Sequence, residues 1–301
     1  MTLQIYDRYW TDAEIASGST MIRSLHSEPT LFRLSAQRVD IAAHAGPISL
    51  KSTGRGESSY RFGRRSVSVS PGQILLVPPS ASYTTHVGDA GAEITTLYFP
   101  KRLVADAHAV LASPADRLLD GHQTDPNRLP QFPPHRRVAS ARMSAILRAL
   151  SCAHGSDDVG DLVMAALAAT TALALEAARS TVNIPAARPS VRRELFRRAC
   201  LVRDLIEQSP DRNLSLAELA DAACLSPFHL HRVFKAAFGE TPAQMRRRRR
   251  VERAKAMLAL GDRTVAEVAR RAGFDSDSAF SRSFRAATGL TPTAFRHAAG
   301  G

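Results

Sequence analysis

Three cysteines in 301 residues, Cys152, Cys200 and Cys224, exclude a good deal at once. They are widely spaced and odd in number, so no disulfide framework organises the chain and a reducing compartment is expected. No CxxC pair occurs, which argues against a cysteine zinc site. The β-rich half also lacks a close His-x-His with its partnering carboxylate, and His44 and His86 stand isolated. No Gly-rich phosphate loop, GxSxG or Cys/His nucleophile pattern appears, so neither catalysis nor a cofactor is expected. Long apolar runs are scarce too. The longest, LVMAALAATTALAL at 162–175, is broken by two threonines and falls short of the roughly 18 to 20 residues of a membrane span. The N-terminus MTLQIYDRYW shows no basic flank before an apolar core, so no signal peptide is read. The expectation is a cytoplasmic protein with no membrane partner.

What is present is a soluble globular composition, 44% hydrophobic and 6% aromatic, with a net charge of +12. That charge is uneven. Residues 189–301 carry 21 Lys and Arg against 12 Asp and Glu, whereas residues 1–188 carry 19 against 16. A basic C-terminal third on a nearly neutral body points to a phosphate-rich partner, with a solubilising surface as the alternative.

Two textures divide the chain. Residues 31–99 read as strands: Ser66 to Ser70 alternates with period two, Pro71-Gly72 makes a turn, Ile74 to Val77 is apolar, and EITTLYF at 93–99 resumes β composition. Short strands with Pro/Gly turns suggest a small sandwich or barrel. Segments near 101–112, 136–151 and 159–180 read as helices, with a Pro- and His-rich loop between the first two. TVNIPAARPS at 181–190 reads as a linker, and everything beyond is helical.

The helical part contains a repeat. Ala217-Glu218-Leu219-Ala220 lies over Ala266-Glu267-Val268-Ala269 at an offset of 49 residues. After the next turn the offset becomes 50, pairing Arg232 with Arg282, Phe234 with Phe284, Gly239 with Gly289 and Arg246 with Arg296. In each copy a capping box (Ser215 and Glu218, then Thr264 and Glu267) opens a short helix. A turn follows, then a second helix with one apolar and one polar, basic face. Leu216, Leu219, Ala220 and Ala223 supply the apolar side of the first helix. In the second helix of copy one, Phe228, His231, Arg232 and Lys235 form the free stripe. In copy two Phe280, Phe284 and Ala287 face in, while Ser278, Ser281, Arg282 and Arg285 face out. Two helices joined in this way make a helix-turn-helix.

Between the copies stands MRRRRRVERAK, residues 245–255. At 100° per residue, five consecutive arginines encircle a helix and cannot form one flat patch. The stripe Val251, Ala254 and Leu258, with Arg247 one turn earlier, is expected to pack. Arg246 or Arg249 is expected at phosphate, and Glu252 paired with an arginine.

The phrases LSLAELADAACLSPFHLHRVFKAAFGETP and TVAEVARRAGFDSDSAFSRSFRAATGLTPTAFR carry a resemblance to the DNA-binding domain of the AraC/XylS family of bacterial transcription regulators, over residues 192–296. The resemblance implies seven helices, with a linker helix joining two helix-turn-helix units. It places base-reading positions at Phe228, His231 and Arg232, and at Asp277, Ser278, Ser281 and Arg282. Lys235 and Arg285 then position the DNA backbone, and Asp277 either accepts from cytosine or stabilises its helix start. It further implies a β-rich, cupin-like N-terminal domain that binds an effector or dimerises. The fold class expected is therefore α+β, with residues 1–180 as the β-rich domain and its following helices, 181–191 as linker, and 192–301 as the all-α domain. Double-stranded DNA, a small-molecule effector, RNA polymerase and a second copy of the chain are the implied partners; an activator is the working expectation, with repression left open. Tyr60, Phe62, Tyr83 and His86 are the candidate pocket residues, with core packing as their other reading. Three alternatives stay open: a ligand-independent regulator whose N-terminal domain only dimerises, a cupin-type metalloenzyme tethered to DNA, and a nonspecific, architectural DNA-binder.

Overall fold

A computed structural model describes residues 3–6, 25–112, 129–153, 156–208, 212, 214–261 and 263–299. The chain divides into two compact units, Met1–Arg179 and Ser180–Gly301.

The first unit is built on two sheets. Strands β1 (Gln4–Tyr6), β2 (Thr30–Ala36), β4 (Ile48–Gly56), β7 (Gln73–Val77), β9 (Ala92–Phe99) and β10 (His135–Val138) form one, in the order β1-β2-β9-β4-β7-β10. Strands β3 (Val39–Ala45), β5 (Ser58–Phe62), β6 (Arg65–Val69) and β8 (Ser82–Val87) form the other, in the order β3-β8-β5-β6. Gly72 at φ 81° lets Ser70–Gln73 close as a tight turn, with Gln73 N–H donating to the Ser70 carbonyl at 3.0 Å. Proline before a left-handed glycine is what such a turn requires. Apolar runs such as Ile74 to Val77 belong to strands inside the larger sheet, buried on both faces, and so do not alternate.

Helices α1 (Lys101–Ala112), α2 (Ala141–Cys152) and α3 (Ser156–Val182) follow, and α2 packs on β4 and β9. Residues 136–138, read as the start of a helix, are instead β10, paired antiparallel to β7 with His135 opposite Leu76. Hydrogen bonding to a sheet edge outweighs local preference there, and Arg136 also donates to the Ser68 carbonyl at 2.9 Å. The helix begins only where Ser140 caps it, accepting from Met143 N–H at 3.2 Å. Helix α3 outruns its apolar stretch at both ends. A 25-residue portion, Asp158–Val182, is long and apolar enough to cross a membrane by length and composition. Its Val163, Ala166, Leu167, Thr170, Ala174 and Ala177 are buried within the fold, as the core-facing side of a helix in a globular domain is.

The second unit is helical: α4 (Pro189–Gln208), α5 (Leu216–Ala222), α6 (Pro227–Phe238), α7 (Pro242–Ala259), α8 (Val265–Arg271), α9 (Asp277–Thr288) and α10 (Pro292–Ala299). The stretch between α3 and α4 is 183–188, narrower than the expected linker, because Pro189 opens α4 as prolines favour. Both capping boxes are formed, Ser215 with Glu218 and Thr264 with Glu267. Each first helix ends by the same turn: Leu225 N–H donates to the Ala220 carbonyl, and 49 residues later Phe274 N–H donates to that of Ala269. The turn demands positive φ at its second-last residue, which is Cys224 (52°) in one copy and Gly273 (86°) in the other.

That mismatch predicts opposite responses. A left-handed backbone costs a side-chain-bearing residue roughly 1–2 kcal/mol, partly offset by the entropy a glycine loses on folding. Cys224→Gly is expected to stabilise the chain by about 0.5–1 kcal/mol, and Gly273→Ala to destabilise it by about 1–2 kcal/mol. Urea denaturation of the two variants checks both signs.

Candidate nucleic-acid interface

Helix α7 holds the two halves of the second unit together. It packs against α4 and α6 on one side of the repeat and against α8, α9 and α10 on the other. Val251, Ala254 and Leu258 join Val268, Ala269, Ala272, Phe280 and Phe284 in one buried cluster. Met245 is buried as well, outside that cluster, and lies about 180° round the helix from Ala254. The strut therefore offers opposite faces to the two half-cores at its two ends.

This change of face decides where the arginines go. Arg247, expected on the packed stripe, is exposed, because at its level the second core has not yet begun. Arg250 is the buried one, at 7% exposure, its guanidinium 5.9 Å from the Phe274 ring centroid. Arg246 donates to the Leu214 carbonyl and Arg249 is ion-paired with Glu207, whose side chain is only 4% exposed. Arg248 meets Glu240 at 2.6 Å. Both residues expected at phosphate are thus turned to protein partners, and Arg247 is the member of the run left facing solvent. Glu252 pairs with Lys255 at 3.5 Å, one turn on, and also stabilises the cation of Arg248, one turn back, so the expected arginine partner is present alongside a lysine.

Arg246 has a counterpart. Arg296 donates to the Arg263 carbonyl at 3.4 Å, and Arg263 precedes the cap of its unit as Leu214 precedes the other. In each copy an arginine beyond the second helix is tied to the chain entering the first. The repeat had aligned these arginines; their shared task is visible only in three dimensions.

The second helix of each unit displays the expected faces. On α6, Leu230, Val233, Phe234 and Ala237 are buried, while Phe228 (78% exposed), His231, Arg232 and Lys235 face solvent. Serine 226 caps the helix and Gly239 ends it with φ 74°. On α9, Phe280 and Phe284 are buried and Asp277, Ser278, Ser281, Arg282 and Arg285 are exposed. Ala287, expected inside, is exposed, as is Leu216 on α5, each lying at the margin of its apolar stripe. Ser278 shares a 3.2 Å hydrogen bond with the capping Ser276. Asp277 occupies the first turn, where a carboxylate is favoured by the helix dipole. Arg232 with Arg282, and Lys235 with Arg285, form two matched cationic pairs of positions on the free faces of the repeat.

The pocket candidates of the first unit separate. Tyr60 and Tyr83 are buried between the sheets and Phe62 packs against their cluster. His86 points outward and meets Asp40 at 2.7 Å, so it is no part of the interior. Alternation along β8 decides this, since Tyr83 and Thr85 face in and the next residue must face out. The interior also holds residues that sequence reading passed over. Lys51 on β4 is wholly buried, its Nζ 4.6–5.2 Å from the ring centroids of Tyr83, Tyr98 and Tyr60. Nζ donates to the Tyr98 hydroxyl at 3.3 Å, that hydroxyl pairs with Tyr83 at 2.9 Å, and His44 Nε2 meets the Tyr83 hydroxyl at 3.1 Å. Period-two placement of Ser49, Lys51 and Thr53 on β4 was the available signal. Among the described residues, no group of three or more His, Cys, Asp or Glu is placed to hold a metal ion.

Burial pushes the His44 imidazole down to about 4 from its ordinary 6.5, with Lys51 nearby lowering it further and the Ala42 carbonyl opposing. Burial likewise holds the Lys51 amine well below its usual range. A histidine kept neutral by the fold contributes stability that is full above pH 6.5 and is lost as pH falls toward 4. Between pH 7 and pH 5 its share of the loss is roughly 2 kcal/mol. His44→Gln is expected to lack that share, read as the difference between variant and parent in thermal or urea melts at the two pH values. In the second unit, Arg249→Ala leaves Glu207 buried without its cation and is expected to cost about 2 kcal/mol. Arg247→Ala is expected to change stability by no more than about 0.5 kcal/mol in the same melts.

Comparison with known proteins fits this division. An AraC-like ligand binding domain matches residues 49–168, and a helix-turn-helix domain matches residues 219–298. The probable transcriptional regulator LumQ of Photobacterium leiognathi is 35% identical over 96 residues, 32% of this chain and 39% of that one. The regulatory protein ada of Salmonella typhimurium is 39% identical over 104 residues, covering 35% and 28%. The arabinose operon regulatory protein of Escherichia coli (strain K12) is 36% identical over 86 residues, covering 29% and 30%. The chain thus spans well under half the length of these curated relatives. The structure of ToxT from Vibrio cholerae aligns over 91% of this chain and 99% of its own at 11% identity, with a TM-score of 0.36, too loose to carry an argument. The two domain matches fall on the β-sandwich with its following helices and on the repeated helical units, so the chain joins an AraC-like ligand binding domain to a helix-turn-helix domain and resembles regulators of the AraC type in both parts.

Proposed function

We propose that the chain is a sequence-specific DNA-binding transcriptional regulator whose affinity for its sites is set by a small molecule held in the first unit. The observation that carries this is the repeat of exposed Arg232 and Arg282 at equivalent positions on two capped helices joined by one strut. An α7 of 18 residues is ~27 Å long, and successive major grooves on one face of B-DNA lie ~34 Å apart. Each arginine offers a planar pair of donors to guanine O6 and N7, which a lysine does not match. His231, Ser278 and Ser281 add single hydrogen bonds, and Phe228 packs on a thymine methyl. Lys235, Arg285 and Arg247 take phosphates, since all three are exposed while Arg246 and Arg249 are committed to the protein. Asp277 serves its helix start. In this reading the protein works by binding rather than catalysis, acts in the cytoplasm, and dimerises through residues 1–180. It recruits RNA polymerase at the genes it activates.

Selection of genomic fragments with the purified chain, at fixed salt and with or without cell-extract metabolites, tests the proposal. The expected result is enrichment of paired short boxes about one helical turn apart, at a level that metabolites shift. Arg232→Ala is expected to relax sequence preference in one box and Arg282→Ala in the other, each by about 1–3 kcal/mol of discrimination. A uniform loss of affinity for all fragments, with only a steep salt dependence, overturns sequence-specific reading.

A further inference from the structure

The interior of the first unit is unusual in what it buries. Lys51 projects from the middle of the larger sheet into the space between the sheets, enclosed by tyrosines from β5, β8 and β9. An amine removed from water ordinarily has a carboxylate beside it. Among the described residues Lys51 makes no ion pair, and its hydrogen bond is to a phenol. The rings facing it are Tyr60, Tyr83 and Tyr98, with His44 on β3 reached through Tyr83, and the buried Thr96 is paired directly opposite it on β9. Strands β6 and β7 contribute Val67, Val69, Leu75 and Val77, which are apolar, and β4 and β5 contribute Thr53 and Ser58, whose hydroxyls bond each other at 2.7 Å.

Two further atoms are unaccounted for. The side-chain hydroxyls of Ser49 and Thr85 are buried and have no hydrogen-bond partner among the described residues. Ser49 sits two residues from Lys51 on the same face of β4 and opposite Tyr98, and Thr85 sits opposite Tyr60 on the facing sheet. An acceptor or donor held between the sheets would give both hydroxyls the partner they lack.

We propose that this interior binds a small monocarboxylic acid, its carboxylate held by the Lys51 ammonium and the Ser49 and Thr85 hydroxyls and its tail among Leu75, Val77, Val67 and Val69. One anion against one ammonium leaves no net buried charge, whereas a phosphate dianion would need a second cation that the interior does not offer. Burial favours the uncharged amine while the acid is not bound. The carboxylate reverses that preference, so the amine takes a proton from solvent as the acid binds. The inference rests on the reading that the first unit takes a small effector, and it names that effector's class.

Isothermal titration of the full chain at pH 8 provides the test, with hexanoate and phenylacetate as probes and hexanamide and phenylacetamide as their neutral counterparts. Running it in two buffers of different ionisation heat reads proton uptake. The acids are expected to bind at least roughly tenfold tighter than the amides, with net proton uptake on binding. Lys51→Met, which keeps the unbranched stem but ends one atom short of the amine, is expected to lose roughly tenfold or more in acid affinity while melting as a folded protein. Equal binding of acids and amides, or binding without proton uptake in the parent chain, overturns the assignment even if the variant fails to fold. Absence of binding by both acids overturns it too. The metabolite arm of the fragment selection stands independently: a shift there with no acid binding here refutes the ligand class and leaves effector control intact.

Discussion

Packing of α7 against both half-cores is the constraint from which the second unit's arrangement follows. Each half brings three helices, α4, α5 and α6 in one and α8, α9 and α10 in the other, and each closes its core against the strut. The strut supplies what each lacks: its early turns face α4 and α6, and Val251, Ala254 and Leu258 complete the cluster with Phe280 and Phe284. Because one rigid helix serves both cores, the display of one recognition helix is tied to that of the other. A flexible connection would leave two independent readers, and the entropy of ordering them would oppose every joint contact.

The arginine run makes sense in this setting. Five cations around one helix are spread over four protein partners and one solvent face: Leu214, Glu207, Glu240, the ring of Phe274, and water at Arg247. Long side chains with several donors suit a strut that must tie itself to elements on every side. Net charge in the C-terminal third is therefore a poor map of where a polyanion meets it. Arg232, Lys235, Arg282 and Arg285 are exposed on α6 and α9, where the opposite face is apolar and buried.

In the first unit the two sheets enclose a mixed interior in place of a purely apolar one. Tyr83 and Tyr98 have their hydroxyls linked to each other, to His44 and to Lys51, so the polar groups form one connected chain across both sheets. Such a chain fixes the spacing of the sheets through geometry as well as through burial. It also concentrates the titratable groups of the interior at one point, where a change in protonation and a change in what lies between the sheets are coupled.

Much of this was legible in the sequence because the signals were local. Capping boxes at Ser215 and Thr264, the Ser226-Pro227 start, the glycine stops and the 49- to 50-residue repeat lie within a turn or two of the chain, and fix the helices and the faces of α6 and α9. Period-two alternation and the Pro71-Gly72 turn likewise determined strands in residues 31–99. Tertiary structure decided whatever depends on a neighbour distant in sequence. The edge pairing of β10, the switch of buried face along α7 that exposes Arg247 and buries Arg250, and the outward turn of His86 are of this kind. So is the gathering of Lys51 with tyrosines from three other strands. A side chain's fate in these cases is set by which surface arrives opposite it, and that surface is made by residues tens of positions away.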